Sequence, residues 1–235
     1  MPEQIPRRVF LVLTGGALAM PRISWSAEVP SLLDHILLGC SDLERGIAFV
    51  EERTGVRAVF GGVHPGRGTQ NALLSLGERR YLEIIAPDPK QASVGQFSEI
   101  TKLREPRLIG WAAHGDNLDV FARILRSEGL EFEGPNAGSR QRPDGKVLRW
   151  KTLKLKNDHG GLLPFFIEWD KDSVHPSADA PKGCTLGRFE ATAPEIEDLL
   201  VAARRAHVDL PISMGEQPSL HATIKGPKGN LSVTS

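Results

Sequence analysis

The sequence predicts an α+β fold built from repeated strand–helix–strand units, and three observations support this prediction. The chain has 235 residues, of which 40% are hydrophobic and 25% charged, as is usual for a globular protein with a sizeable core. Short apolar runs of strand length alternate with stretches whose apolar residues recur at helical spacing. The resulting order of strands and helices then repeats along the chain, and internal repetition constrains a fold more than any single propensity does.

The first unit begins with an apolar run, and its helix has clear start and stop signals. Ser41 or Asp42 is expected to cap the helix at its start, and Gly55 to end it in a left-handed conformation. A glycine-rich loop at 61–68 is expected to carry His64. Strands are predicted at 32–39, 56–60, 71–76 and 81–86.

The same order recurs twice. In the second unit, strands at 108–113, 147–155 and 164–169 accompany a helix that starts at Asp116 or Asn117 and ends at Gly129. A proline-rich connector at 175–181 leads to a shorter third unit, with strands at 185–191, 221–224 and 230–233 and a helix at 194–207. We therefore divide the chain into an export segment at 1–27, paired modules at 28–175, and a reduced β-α-β-β module at 176–235.

The N-terminal segment is typical of a bacterial signal peptide. The pair Arg7-Arg8 precedes a short apolar stretch, which is the layout of the twin-arginine class, and small residues permit cleavage after Ser26. We therefore expect a periplasmic or secreted protein. The alternative is a cytoplasmic protein with a basic N-terminal arm.

Composition and charge argue against several partners. The formal net charge is zero, whereas a general nucleic-acid binder carries a basic excess, so no nucleic-acid partner is expected. No run of about 18 apolar residues is present, so stable membrane insertion is not expected. Cys40 and Cys184 do not have metal-site spacing. They are either small buried side chains or, if the fold brings them together, a disulfide.

Three polar side chains in otherwise apolar strands are candidate metal ligands. A buried carboxylate needs a partner, and the closing strands of the first two units each hold one acid, Glu83 and Glu168. If the two units line a common concavity, these acids and His35 would converge. One imidazole and two carboxylates suit Zn, Mn, Fe or Ni, with open positions left for water and substrate. The alternatives are a core histidine and acids that face solvent.

Several segments together resemble a known superfamily. The stretches 33–54, 61–73, 81–89 and 163–169 are similar to the glyoxalase-like branch of the vicinal oxygen chelate superfamily. The resemblance implies paired modules whose curled, mixed or antiparallel sheets surround a cavity, with helices outside. It also implies a metal held by His35 and Glu83, with Glu168 as the closing acid of the second module. That module has no histidine at its start, where Leu108 to Trp111 lie.

Five residues are candidates for catalysis or substrate binding. His64 is a candidate catalytic residue, because a glycine-rich loop can present a titratable imidazole to a ligand. Glu168 is an alternative catalytic base. Asn71 is placed to orient a substrate oxygen, and Trp111 and Trp169 to wall an apolar pocket, although core packing also explains either tryptophan.

The resemblance implies a small-molecule metalloenzyme of lyase, isomerase or dioxygenase type that chelates adjacent oxygens of its substrate. One alternative is a metal-free protein of the same fold that binds or sequesters an apolar or aromatic small molecule. Another is an interaction domain that uses the third unit as a docking edge. A homodimer formed through that unit is also compatible with the sequence.

Overall fold

The computed structural model describes residues 28–91 and 95–235 of the chain, with the side chains of 95–97 excepted. The predicted export segment at 1–27 lies outside the described residues, so its role stays a prediction. Among the helices of the described part, none is both long enough and apolar enough to cross a membrane.

The first unit has the predicted order of one strand, one helix and three strands. Its helix starts after Asp42, whose side chain accepts a hydrogen bond from the backbone N–H of Arg45 at 2.9 Å, and it ends at Gly55, which has a φ of 80°. Both residues act as capping residues usually do. The elements are β1 (Leu33–Gly39), α1 (Leu43–Thr54), β2 (Val59–His64), β3 (Thr69–Ser75) and β4 (Tyr81–Pro87).

The second unit repeats this order and contains one strand that the sequence analysis missed. The missed strand, β6, has few apolar residues and an exposed or half-buried surface along most of its length, so no period of two is visible in its sequence. A 3₁₀ helix (Gly95–Lys102) precedes the unit. Its elements are β5 (Arg107–His114), α2 (Leu118–Ser127), β6 (Phe132–Gln141), β7 (Val147–Leu155) and β8 (Phe165–Trp169).

The two units share one eight-stranded sheet, in the order β2-β3-β4-β1-β5-β8-β7-β6. Within each unit the first strand pairs in parallel with the last, and β1 joins β5 antiparallel. The sheet curls so far that its two edge strands meet: a Cβ atom at Gly62 on β2 would lie 2.8 Å from the carbonyl oxygen of Gln141 on β6. The predicted α+β class with curled mixed sheets is confirmed.

The third unit has the predicted helix but a different arrangement of strands. Its four-stranded sheet has the order β10-β9-β11-β12, so its first strand lies inside the sheet between β10 and β11. It is therefore not a reduced copy of the first two units, and the short strand β10 was not predicted. The predicted boundary at 175/176 lies in the connection that contains a short helix, α3 (Pro176–Asp179). The other elements are β9 (Thr185–Ala193), α4 (Glu197–Arg205), β10 (Ile212–Met214), β11 (Ser219–Lys225) and β12 (Asn230–Thr234).

The main core fills the space between the helix side of the large sheet, its helices and the small sheet. Trp111 on β5 packs edge-on against Phe189 on β9 with ring centroids 5.2 Å apart, which joins the two sheets. Cys40 and Cys184 are both buried free thiols, so the structure favours the prediction of small buried side chains over a disulfide. Burial, followed by the negative charge of Asp42, raises the pKa of Cys40 to about 12.

The start of α1 provides a test of which residue caps it. Asp42→Ala is expected to lower the free energy of unfolding by about 1 kcal/mol, because the N–H of Arg45 loses its acceptor. Ser41→Ala, at the neighbouring position that the sequence could not separate from it, is the matched control and should change stability by less than about 0.5 kcal/mol. Urea denaturation of both variants measures the difference in the free energy of unfolding. Equal losses of stability in the two variants would show that Asp42 is not the capping residue.

Candidate functional site

A β-bulge in strand β1 brings two ionisable side chains together. Leu33 pairs with Ala113 and His35 with Ala112, so Asp34 is an extra residue with no partner on β5. Such a bulge disturbs the alternation of faces that a regular strand would impose. Asp34 therefore contacts His35, and its Oδ1 lies 2.7 Å from Nδ1 of the imidazole.

The carboxylate of Asp34 is fully buried and accepts from three separate donors. Besides His35, the indole N–H of Trp169 lies 3.1 Å from its Oδ2 and Nε2 of His175 lies 3.2 Å from the same oxygen. Burial alone would raise the pKa of Asp34. The hydrogen bonds from His175 and His35, together with their charge, outweigh burial and hold this pKa well below its usual range.

The ring of His35 is fixed on several sides. Tyr81 stacks on it with ring centroids 4.5 Å apart, and Phe165 meets it edge-on at 5.6 Å. Because Nδ1 faces an ionised carboxylate, the proton of a neutral ring resides there and Nε2 keeps its lone pair. That Nε2 lies 3.5 Å from Oε2 of Glu83.

Glu83 on β4 forms the centre of the cluster. Its Oε1 accepts a 2.5 Å hydrogen bond from the amide of Asn71 on the neighbouring strand. Burial would raise the pKa of Glu83, but the neighbouring imidazoles of His35 and His64, the Asn71 hydrogen bond and the charge of Arg140 together lower it. The carboxylate is therefore ionised at neutral pH, although almost no water reaches it.

The sequence predicted His64 in a glycine-rich loop, but the structure places it at the end of strand β2. It pairs with Thr69 across the turn, and its Nδ1 lies 2.9 Å from the hydroxyl of Thr69. Its Nε2 faces the cluster, 3.5 Å from Oε1 of Glu83 and 3.4 Å from the amide nitrogen of Asn71. Burial lowers the pKa of His64.

Two imidazoles thus face opposite oxygens of one carboxylate, and each has its other ring nitrogen held by a neighbouring side chain. Histidine ligands of metals are oriented in this way, by a partner on the nitrogen that does not bind. Asn71 adds a buried side-chain oxygen to which no donor of the described residues makes a hydrogen bond. However, no three His, Cys, Asp or Glu side chains in the described ranges are gathered closely enough to hold a metal ion.

The structure does not bring Glu168 to this cluster, which corrects the ligand set expected from the sequence. On β8, Phe165 and Trp169 contact the cluster, so Phe166 and Glu168 face the helices. The carboxylate of Glu168 accepts from the backbone N–H of Leu118, the first residue of helix α2, at 2.7 Å, beside the N-cap residue Asn117. Glu83 is the third residue of its strand and Glu168 the fourth, and an offset of one residue reverses the face.

The second module supplies no equivalent ligands. The register places Ala112 opposite His35, and Ile167 lies between the two residues of β8 that face the cluster. The expectation of a converging pair of acids from two modules is therefore wrong. His35, His64, Asn71 and Glu83 all come from the first module.

The two tryptophans have different surroundings. Trp111 is buried in the main core and donates its indole N–H to the carbonyl of Leu162 at 2.9 Å, so it does not line the candidate site. Trp169 lies beside the cluster, because its indole N–H donates to Asp34. It also contacts Trp150, with ring centroids 5.5 Å apart.

Sequence reasoning missed three residues of the site: Asp34, Tyr81 and His175. Alternation placed Asp34 on the opposite face from His35, because the bulge leaves no trace in the sequence. His175 lies in the proline-rich connector, far from the cluster in the chain, and only the folded connector brings it to Asp34. Tyr81 had a usable signal, since it occupies the same strand face as Glu83.

A cleft of about 490 Å³ lies elsewhere on the surface, between residues 102–107 and the last strand. None of the residues that line it belongs to the cluster around Glu83. Its volume alone does not make it the reaction site, because the buried ionised groups lie at the other location.

A family model described as a glyoxalase-like domain matches residues 33–207. The match includes both modules of the large sheet and the cluster around Glu83. No curated protein sequence matches the chain.

Solved structures are similar to this chain at low sequence identity. A hypothetical protein from Staphylococcus aureus superposes with a TM-score of 0.61 and 16% identity, over 86% of this chain and 84% of that one. Methylmalonyl-CoA epimerase from Mycobacterium tuberculosis gives a TM-score of 0.43 and 25% identity, over 58% of this chain and 86% of that one. Methylmalonyl-CoA epimerase from Streptomyces coelicolor gives a TM-score of 0.44 and 22% identity, over 60% of this chain and 96% of that one.

The hydrogen bonds of Asp34 provide a test of the cluster's rigidity. Asp34→Asn keeps the shape but replaces one acceptor oxygen by an N–H group that faces a donor, so we expect the free energy of unfolding to fall by about 2 to 4 kcal/mol. Asp209→Asn is the matched control, because Asp209 accepts from the backbone N–H of Ser31 near the surface. A loss of less than about 0.5 kcal/mol for Asp34→Asn in chemical denaturation would contradict this assignment.

Proposed function

The chain belongs to the glyoxalase-like domain family, and from that premise we propose that it is a small-molecule enzyme whose reaction centre is the cluster of His35, His64 and Glu83. One observation carries the proposal. The Nε2 atoms of two buried imidazoles each lie 3.5 Å from a different oxygen of one buried, ionised carboxylate, while their Nδ1 atoms are engaged by Asp34 and Thr69. Oriented ionisable groups shielded from water are typical of reaction centres.

The donor chemistry of this cluster suits a divalent metal of the Zn, Mn, Fe or Ni type. His35 and His64 would bind it through Nε2 and Glu83 through its carboxylate, which is a two-histidine, one-carboxylate set. Asn71 would contribute its unpaired side-chain oxygen. When bound, such a metal polarises substrate oxygens and stabilises negative charge that develops on them.

The protein's own residues define the rest of the proposed chemistry. Asp34 holds His35 in one tautomer and orientation, and Asn71 holds the carboxylate of Glu83 by a hydrogen bond. Tyr81 excludes water above His35, and burial together with the charges of Glu83 and Asp34 raises its pKa, so it stays neutral. We propose a lyase, isomerase or dioxygenase type of reaction on a substrate with two adjacent oxygens.

A second function is favoured by a different observation. The two imidazoles flank the carboxylate without closing around one point, and the second module presents no ligand at Ala112 or Ile167. A metal-free protein that binds a small molecule in the curled sheet, with no bond made or broken, is compatible with this geometry.

Metal content separates the two functions. The full chain purified without chelator is expected to carry about one divalent metal, or to melt at a higher temperature when Zn, Mn, Fe(II) or Ni is added. His35→Gln, His64→Gln and Glu83→Gln should each weaken metal binding by more than about 100-fold, because loss of a ligand exceeds the effect of losing its supporting partner. Elemental analysis by mass spectrometry and thermal unfolding measure these effects.

Glu168→Gln is the matched control, since Glu168 was a candidate ligand in the sequence but accepts from the first N–H of helix α2 in the structure. This variant should keep its metal and lose about 1 kcal/mol of stability. If the wild type carries no metal and gains no stability from any of the four, the metal-dependent enzyme is excluded and the binding function is favoured. If Glu168→Gln loses the metal as the other variants do, the ligand set is wrong.

A further inference from the structure

Arg140 is a buried cation that forms no ion pair with a carboxylate of the described residues, although its charge acts on Glu83. Only 4% of its surface is exposed, and one terminal nitrogen of its guanidinium, Nη1, is shielded from solvent without a hydrogen-bond acceptor. Within the described residues no Asp or Glu forms an ion pair with it, although Arg142, two residues later, pairs with Asp179 at 2.6 Å and with Asp144 at 3.3 Å. Burying a charge without an ion-pair partner lowers the stability of the folded protein. A buried guanidinium of this kind therefore indicates a function other than stabilising the fold.

The position of Arg140 relates it to the cluster. It lies near the end of β6, where that edge strand meets β2, and a Cβ atom at Gly62 would be 2.9 Å from its Nη1. Gly62 has a φ of 138° and pairs with Asn71, the residue that holds Glu83. A glycine is needed at position 62 for two reasons. Most other residues would be strained at this φ, and their Cβ atom would displace the guanidinium of Arg140.

A small cleft of about 60 Å³ lies against Arg140. Most of its walls are apolar, among them Val59, Phe60, Leu73 and Leu148. Two further charged residues line it, Arg142 and Asp179, and these pair with each other at 2.6 Å. The cleft thus combines apolar surface with the guanidinium of Arg140, which has no ion-pair partner in the described part of the chain.

We propose that Arg140 binds the carboxylate of a small organic acid, and that the short apolar part of this acid contacts the walls of the cleft. The proposal rests on the proposed function, since it names the substrate class of the same site. A guanidinium offers two parallel N–H groups that match a carboxylate. A phosphate has more oxygens than the guanidinium of Arg140 and the apolar walls of the cleft can satisfy, so the carboxylate fits better.

Propionate is the probe, with propionamide as its uncharged analogue and inorganic phosphate as the competing anion. Ligand-observed NMR titration of the full chain should show that propionate binds at least about 10-fold more tightly than either. Arg140→Met should weaken propionate binding by about 10-fold or more. Arg140→Lys, which keeps the charge but loses the planar fork, should lie between Arg140→Met and the wild type.

Arg149→Gln is the matched control, because it removes an exposed arginine from the neighbouring strand β7 and should leave propionate affinity unchanged. A second readout separates binding from structure. Arg140→Met removes a buried charge that has no ion-pair partner among the described residues, so its melting temperature should equal or exceed that of the wild type. A melting temperature lowered by several degrees would show that Arg140 is structural, and would overturn the proposal.

The proposal is also overturned if propionate does not bind the wild type, if phosphate binds more tightly than propionate, or if Arg140→Met binds propionate as the wild type does. The metal content of Arg140→Met distinguishes this failure from failure of the proposed function, since none of the proposed ligands is altered. A wild type that binds propionate through Arg140 but takes up no metal would support this inference while contradicting the metal-dependent enzyme.

Discussion

The buried carboxylate of Asp34 is the interaction on which the site depends. It accepts hydrogen bonds from His35 on the central strand, from Trp169 at the end of the large sheet's second module, and from His175 in the connector to the small sheet. One anion thus links three parts of the chain, and its negative charge is compensated by three side-chain donors. The orientation of His35 toward Glu83 follows from this anchoring, because the ring has one nitrogen committed to Asp34.

The two modules of the large sheet share a topology but contribute different kinds of side chain to the site. The first provides the polar side chains of the cluster, and the second covers it with Phe165 and Trp169 and contributes Arg140 at the meeting edges. Duplication of a module gives two equivalent concave faces, and here one face carries the ionisable groups while the other supplies apolar surface and one cation. Such an asymmetric site is compatible with binding a substrate that is itself polar at one end and apolar at the other.

Much of the fold and part of the site could be predicted from the sequence. The apolar runs and the caps at Asp42 and Gly55 locate β1 and α1, and His35, Asn71 and Glu83 were recognised as candidates because they interrupt or flank apolar strands. Pattern alone could not locate the bulge at Asp34, since one extra residue changes which side chains share a face without changing composition. An offset of one residue likewise led to the wrong face being predicted for Glu168. Strand β6 was not predicted because its sequence has no apolar alternation.

The meeting of Gly62 with Gln141 makes the site depend on contacts between residues that are far apart in the chain. The two residues belong to different modules and to opposite edges of the sheet, so their contact requires the large sheet to be curled across all eight strands. Contacts between residues so distant in the chain form late, because the entropy of closing the intervening loop must be overcome first. Arg140 therefore reaches the neighbourhood of Asn71 and Glu83 only in the complete sheet, and partly folded chains present neither the cleft nor its charge to a ligand.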